Sequence, residues 1–227
     1  MKQTIKPTAK RAAKQIAAIF PLLFIFLFNS CFGASADITL NPDGSGTIAL
    51  EYRISKSLDS LGRLDGNERW NTIPVGRADF ERTLDRLPDM RLLSFSSRED
   101  AQDIIISARM EFSSIRGLLA FLDASGRRSS FAGDARSGSL LLTLSEGPGI
   151  SSPELARLLA AVSEGYSVRF GMGFLGEASL AVSDSQGRPL AAIPGSEIRS
   201  AGRRVSAYFP LYEILASAEG INVEFNW

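Results

Sequence analysis

From residue 38 onward the chain is written largely in alternation. Ile38 and Leu40 stand on one side of a polar break, and Ile48, Leu50, Tyr52 and Ile54 follow it. Period-2 apolar spacing is the mark of strands with one buried face. The break reads Asn41-Pro42-Asp43-Gly44. Pro42 presets φ at the first central position, and Gly44 or Gly46 accepts φ > 0. A β-hairpin with one buried face is expected here.

Further on, the period switches between 2 and 3.6. An early helix carries Phe80, Leu84 and Leu87, ahead of a strand near residues 90–95. Residues 102–112 alternate through Ile104, Ile106, Ala108, Met110 and Phe112. They lead into a short helix with Ile115, Leu118, Leu119 and Leu122 on one face, capped by Ser113 or Ser114. Leu140, Leu142 and Leu144 form the next strand. Ser152-Pro153-Glu154 then opens a helix with a cap, a proline at its first position and an acid for the dipole. That helix bears Leu155, Leu158, Leu159 and Val162, and a strand with Val168, Phe170 and Phe174 follows. Val205, Ala207 and Phe209 precede a helix begun by Pro210 and bearing Leu211, Ile214 and Leu215. Ile221, Val223, Phe225 and Trp227 close the chain. Strand–helix–strand units joined by strand pairs predict an α+β fold: a mainly antiparallel sheet with short helices packed on one face. Residues 37–227 are expected to form a single domain. Residues 184–202, rich in Gly and Pro, read as a mobile loop.

The first 36 residues obey another pattern. Lys2, Lys6, Lys10, Arg11 and Lys14 precede a 13-residue apolar run at 16–28, "IAAIFPLLFIFLF". A membrane-spanning helix needs about 20 residues. A basic start and a short apolar core make a secretory signal. Two cuts compete. Ala34-Ser35-Ala36 suits ordinary signal peptidase, releasing a chain that begins at Asp37. "LFNSC" resembles a bacterial lipobox, with cleavage before Cys31 and acylation of its thiol. The apolar run ends directly before "NSC", which favours Cys31 as a lipidation site. Residues 1–30 then form a cleaved signal peptide of lipoprotein type, and 31–36 a short tether. The chain is expected to be exported and lipid-anchored to a bacterial membrane, facing periplasm or cell exterior. Two or three acyl chains anchor firmly where one does not.

Charge and composition then narrow the chemistry. Five of the 25 Lys and Arg lie in the first fourteen residues, and no acid precedes Asp37. The remainder therefore carries 20 bases against 25 acids, which argues against a nucleic-acid partner. No histidine occurs, and Cys31 is the only cysteine, so a disulfide, a Ser–His–Asp triad and imidazole metal ligation are excluded. Lys56, in "ISKSL", lacks Ser-x-x-Lys spacing. The turn at Asn41, Asp43 and Gly44 fits part of an EF-hand loop, but Thr39 and Leu50 occupy its end positions. Gly171, Gly173 and Gly176 match G-x-G-x-x-G, yet "EASLAVSD" reads as a strand where a nucleotide site needs a helix. Glu99, Asp100 and Asp103 cluster in "SREDAQD", expected to be a solvated hairpin tip rather than a carboxylate pair for hydrolysis. Arg127-Arg128 and Arg203-Arg204 read as surface charge, with lipid head groups or an acidic partner as the alternative. The terminal "INVEFNW" is strand-like, but interposed helices argue against an outer-membrane barrel. No catalytic residue, metal ligand or cofactor is expected.

"ADITLNPDGSGTIALEYRIS", following the leader and Cys31, resembles the start of uncharacterised bacterial envelope lipoproteins, the mycobacterial LppM-like group among them. That group is similar in setting an apolar strand, a D-G turn and a second strand shortly after the lipid-bearing Cys. The resemblance covers residues 25–55. It implies an envelope α+β domain that contacts lipids, and it transfers no catalytic residue. The function expected is therefore a non-catalytic binding module for lipid or another amphiphile. A structural or protein-interaction lipoprotein is the alternative, and a carboxylate hydrolase the third reading. The motive for binding is the set of large side chains Phe112, Phe170, Phe174, Phe209, Phe225 and Trp227, with only short helices to cover them; they line a pocket or docking patch, or, as the equal alternative, fill the core.

Overall fold

Pro42 and Asp43 close the first hairpin as expected. The computed structural model describes residues 32–56, 74, 76–150 and 152–227. Strand β1 (Phe32–Leu40) returns as β2 (Gly46–Ser55), with Ile38 opposite Ile48 and Ala36 opposite Leu50. The Asp43 carboxylate accepts the Ser45 N–H at 3.0 Å and the Ser45 hydroxyl at 2.6 Å, and Gly44 takes φ +83°. Asp43 thus serves the turn itself, held below its usual pKa first by the Ser45 hydroxyl.

Helix α1 (Arg77–Leu84) begins where the Asp79 carboxylate accepts the Gly76 N–H at 3.0 Å. Leu87 lies beyond its end. β3 (Met90–Glu99) and β4 (Asp103–Phe112) follow as an antiparallel pair. Helix α2 (Ile115–Leu122) is capped by Ser114, whose Oγ accepts the Gly117 N–H at 3.1 Å and donates to Asp89 at 2.7 Å. After β5 (Ser129–Gly133) and β6 (Gly138–Ser145), α3 (Pro153–Ser163) starts on the Ser152 cap and Pro153 that the sequence predicts. The remaining elements are β7 (Ser167–Gly173), β8 (Ser179–Ser183), β9 (Glu197–Ala201), β10 (Arg204–Pro210), α4 (Leu211–Ala216) and β11 (Ile221–Asn226).

The α+β class is as expected, and its strands divide between two sheets rather than one. The larger has the order β3-β4-β2-β1-β7-β10-β9, the smaller β5-β6-β11-β8. Pairing is antiparallel except between β1 and β7, which run parallel from Ala34–Val168 to Thr39–Gly173. One apolar cluster joins both sheets: Ile38, Ile48, Ile106, Met110 and Phe209 from the larger, and Leu140, Val223 and Phe225 from the smaller. Helices α1, α2 and α4 add Phe80, Leu118 and Ile214. Each is a short helix buried along one stripe, so packing rather than intrinsic propensity holds it.

Two expectations need correction, and one choice is decided. Residues 31–36 are not a tether from Phe32 onward. Gly33, Ala34, Ser35 and Ala36 are laddered to β2, and the last three also to β7. Small side chains suggest a linker, but they equally suit a central strand, and Ala36 is buried. Residues 184–202 are not wholly loop, because Glu197–Ala201 adds the edge strand β9 to β10. Finally, of the two readings of the large side chains, pocket lining and core filling, the structure has the second. Phe112 and Phe209 are 0% exposed, and Phe174 and Phe225 are also buried. Phe170 and Trp227 pack half-buried against the same cluster, with Trp227 stacked on Phe174 at 4.8 Å.

Candidate functional site

The larger sheet turns one face to the core and leaves the other polar. Along β1 the outward positions are Gly33, Ser35, Asp37 and Thr39, and register aligns them with neighbours of similar character. Gly33 lies opposite Arg53. Ser35 lies opposite Glu51 on β2 and Arg169 on β7. These residues, with Gly165 and Tyr166 from the loop before β7 and Ser167 at its start, line a groove of about 220 Å³. A Cβ on Gly33 would sit 3.4 Å from the Tyr166 ring, so this glycine leaves the floor of the groove open.

At one end a buried carboxylate holds the walls together. Asp103, expected on a solvated tip, is only 1% exposed. Its Oδ1 accepts the Tyr166 hydroxyl at 2.7 Å, and its Oδ2 meets the Arg53 guanidinium at 2.6 Å. A carboxylate this deeply buried needs a cation and a hydrogen-bond donor at once, and β2 and the β7 loop supply one each. The rest of "SREDAQD" is a hairpin turn. Asp100 accepts the N–H groups of Gln102 and Asp103 at 2.8 and 2.7 Å, and these hold its carboxyl below the usual range. Glu99 pairs with Lys56 at 2.9 Å. Asp100 and Asp103 thus share Arg53, at 3.7 and 2.6 Å, and Glu99 is held by Lys56, so each of the three acids is already paired with a cation.

The groove's remaining charges are not neutralised within the fold. The Glu51 carboxylate accepts the Ser107 hydroxyl at 3.2 Å and has no cationic partner among the described residues. Arg169 has no carboxylate partner among them, and its guanidinium lies 5.6 Å from the Tyr208 ring centroid, a cation–π arrangement that fixes the planar group without quenching its charge. A second cavity of about 400 Å³ adjoins along the same face, sharing Ser35 and Glu51 and extending to Asp37, Ser107 and Arg109.

Other candidates are accounted for by the fold. Gly171 lies beneath the Asp37–Arg204 ion pair, where a Cβ would come within 3.3 Å of the Asp37 carboxylate. Gly173 and Gly176 then lead to strand β8, so no helix N-terminus is offered to a phosphate. Arg128 pairs with Glu146 at 3.2 Å. No helix among the described residues is long and apolar enough to cross a membrane. Cys31 and the leader lie outside the described residues.

Glu51, Arg53, Tyr166 and Arg169 were not visible as a site in the sequence. Their only signal is that outward positions of β2 and β7 carry charge, a pattern shared with any solvated strand.

No protein-family model matches this chain, and no curated protein does. Among solved structures, the folded domain of LppM from Mycobacterium tuberculosis, determined by NMR, is similar over 87% of this chain and 90% of that one. The sequence identity is 12% and the TM-score 0.42.

Proposed function

We propose that the protein is an envelope lipoprotein, acylated on Cys31, whose α+β domain is a non-catalytic binding module. The observation that carries the reading is the join between leader and fold. A basic segment and a 13-residue apolar run end at "NSC", and strand pairing begins at the very next residue, Phe32. Cleavage after Ala36 would strip residues 32–36 from a strand paired on both sides. It would also remove Gly33 and Ser35 from the groove. Cleavage before Cys31 keeps both intact, which supports the lipoprotein cut.

The binding reading now rests on the polar groove and its uncompensated charges rather than on the aromatic residues. The alternative, a lipoprotein that docks another envelope protein, would use the same uncovered face. Intact-mass measurement of the protein from native membranes tests the anchor. A chain beginning at Cys31 with added acyl mass is expected, and an unmodified chain beginning at Asp37 overturns it. Analysis of what co-purifies separates a bound small amphiphile from a stoichiometric protein partner.

A further inference from the structure

The groove holds one unpaired charge of each sign, set on opposite sides of a single strand. Glu51 on β2 and Arg169 on β7 both align with Ser35. With strands about 4.8 Å apart, their Cα atoms are separated by roughly 10 Å. Arg53 stands one row away beside Gly33, half exposed, its guanidinium 2.6 Å from the buried Asp103 and 3.7 Å from Asp100. A guanidinium has five N–H donors, so the contacts to Asp103 and Asp100 leave others for a ligand. Arg53 on β2 and Arg169 on β7 flank β1 from opposite sides, and an oxyanion held between them would meet planar guanidinium donors from both. Glu51 would repel a bare anion bound there and attract an ammonium group.

We propose that this groove binds a small zwitterion of the phosphoethanolamine class, its phosphate held by Arg53 and Arg169 and its ammonium by Glu51. The volume of about 220 Å³ is below the roughly 300–1,000 Å³ of sites for drug-sized ligands, and it suits a head group without its acyl chains. The site deepens the binding-module reading and rests on it. A free phosphoethanolamine and the head group of a membrane lipid share this chemistry. β1 enters the sheet one residue after Cys31. Ser35 is four residues from the thiol-bearing position, at most about 14 Å of extended chain, so an acylated Cys31 brings the groove within reach of the head-group layer.

The test is calorimetric titration of the full mature protein, purified in detergent, with phosphoethanolamine, inorganic phosphate and ethanolamine separately. Phosphoethanolamine is expected to bind at least tenfold more tightly than either half. Arg169→Ala should weaken it at least tenfold. Glu51→Gln should bring its affinity down to that of phosphate while leaving phosphate binding unchanged or improved. Both residues are on the surface, and unchanged circular dichroism and melting temperature will show that each variant folds. The same protein in nanodiscs with and without phosphatidylethanolamine distinguishes the sources. Competition by the bilayer lipid against the soluble probe identifies the membrane head group, and its absence identifies a soluble ligand. Equal affinity for phosphate and phosphoethanolamine overturns the proposal. So does an absence of detectable phosphoethanolamine binding. Titration of the groove and the mass of residue 31 are separate measurements, so failure of the site is distinguishable from failure of the lipoprotein reading.

Discussion

On the inward face of the larger sheet, Ile38, Ile48, Ile106, Met110 and Phe112 meet Phe80 and Leu118 with no exposure above 2%. One residue along the same strands, Ser35, Asp37, Glu51, Arg53 and Arg109 are at least partly open to solvent. The inward face is held by burial, about 25 cal/mol for each Å² of apolar surface removed from water, and close packing leaves it little freedom to change. On the outward face, ion pairs such as Asp37–Arg204 and Arg91–Glu111 join half-exposed groups, and exposed pairs contribute at most about 1 kcal/mol. The difference separates two jobs within one sheet. Stability depends on the inward residues, so the outward ones are free to be chosen for what they bind. Asp103, like Ile105 two residues along, departs from this pattern, an outward residue buried deeply enough to matter for both.

Four measurements would break or sharpen this contrast. Phe112→Ala opens a void at a position with no exposure and should cost about 3–5 kcal/mol in urea unfolding. A loss below about 1 kcal/mol would mean that the inward face is not close-packed. Next, Gly46→Ala sets a Cβ 2.1 Å from the Thr39 carbonyl oxygen and 2.4 Å from the Phe112 ring. Overpacking of this kind costs about 1–3 kcal/mol, visible as a lower melting temperature. Asp103→Ala lies between the faces. It removes the acceptor of the Tyr166 hydroxyl and the nearer partner of Arg53, and about 1–3 kcal/mol should be lost, together with ligand binding in the groove. Were Asp103→Ala to leave both unchanged, the carboxylate would be only incidental to the groove. Arg204→Ala, on the purely outward side, should change stability by no more than about 1 kcal/mol.

The smallest effect is a dependence on pH. Asp123 is held down to about 2, first by the Ser125 hydroxyl and then by the N–H groups of Arg128, Ser129 and Ser125. Asp89 is lowered by the hydroxyls of Ser114 and Ser113. Burial pushes Asp184 upward, but the Arg188 N–H and guanidinium outweigh it and leave it lowered. A carboxyl depressed in the folded state stabilises fully above its unfolded pKa, near 3.8, and loses that contribution as the pH falls through the folded value. Stability should therefore be flat above about pH 5 and decline from about pH 4 toward pH 2. Asp123→Asn should make the decline shallower. An equally steep decline in that variant would mean that the turns do not carry the acid sensitivity.

Where alternation or a cap is strong, residues and structure agree. The β1–β2 hairpin, β4, α2 behind Ser114, α3 behind Ser152 and β11 are all legible, because each is specified by side chains within a few positions of one another. β5, "SSFAG", and β9, "EIRSA", are short edge strands with little burial; without a buried row they carry no periodic signal. Phe112, Phe209 and Phe225 were correctly seen as one-sided strand residues, while their destination, core rather than pocket, depended on a second sheet to cover them. Asp103 stood out as one of three nearby acids, but its burial depends on Arg53, 50 positions earlier, and Tyr166, 63 positions later. The parallel seam between β1 and β7 joins residues more than 130 positions apart. The sequence by itself thus determined the α+β class, the caps of α2 and α3 and the phase of those strands that have a buried row, since local propensity and alternation set these. Only the tertiary structure decided which strands meet, that they form two sheets, and that Glu51, Arg53, Tyr166 and Arg169 line one groove. Alternation records which side of a strand is buried, and it carries no record of the neighbour that buries it.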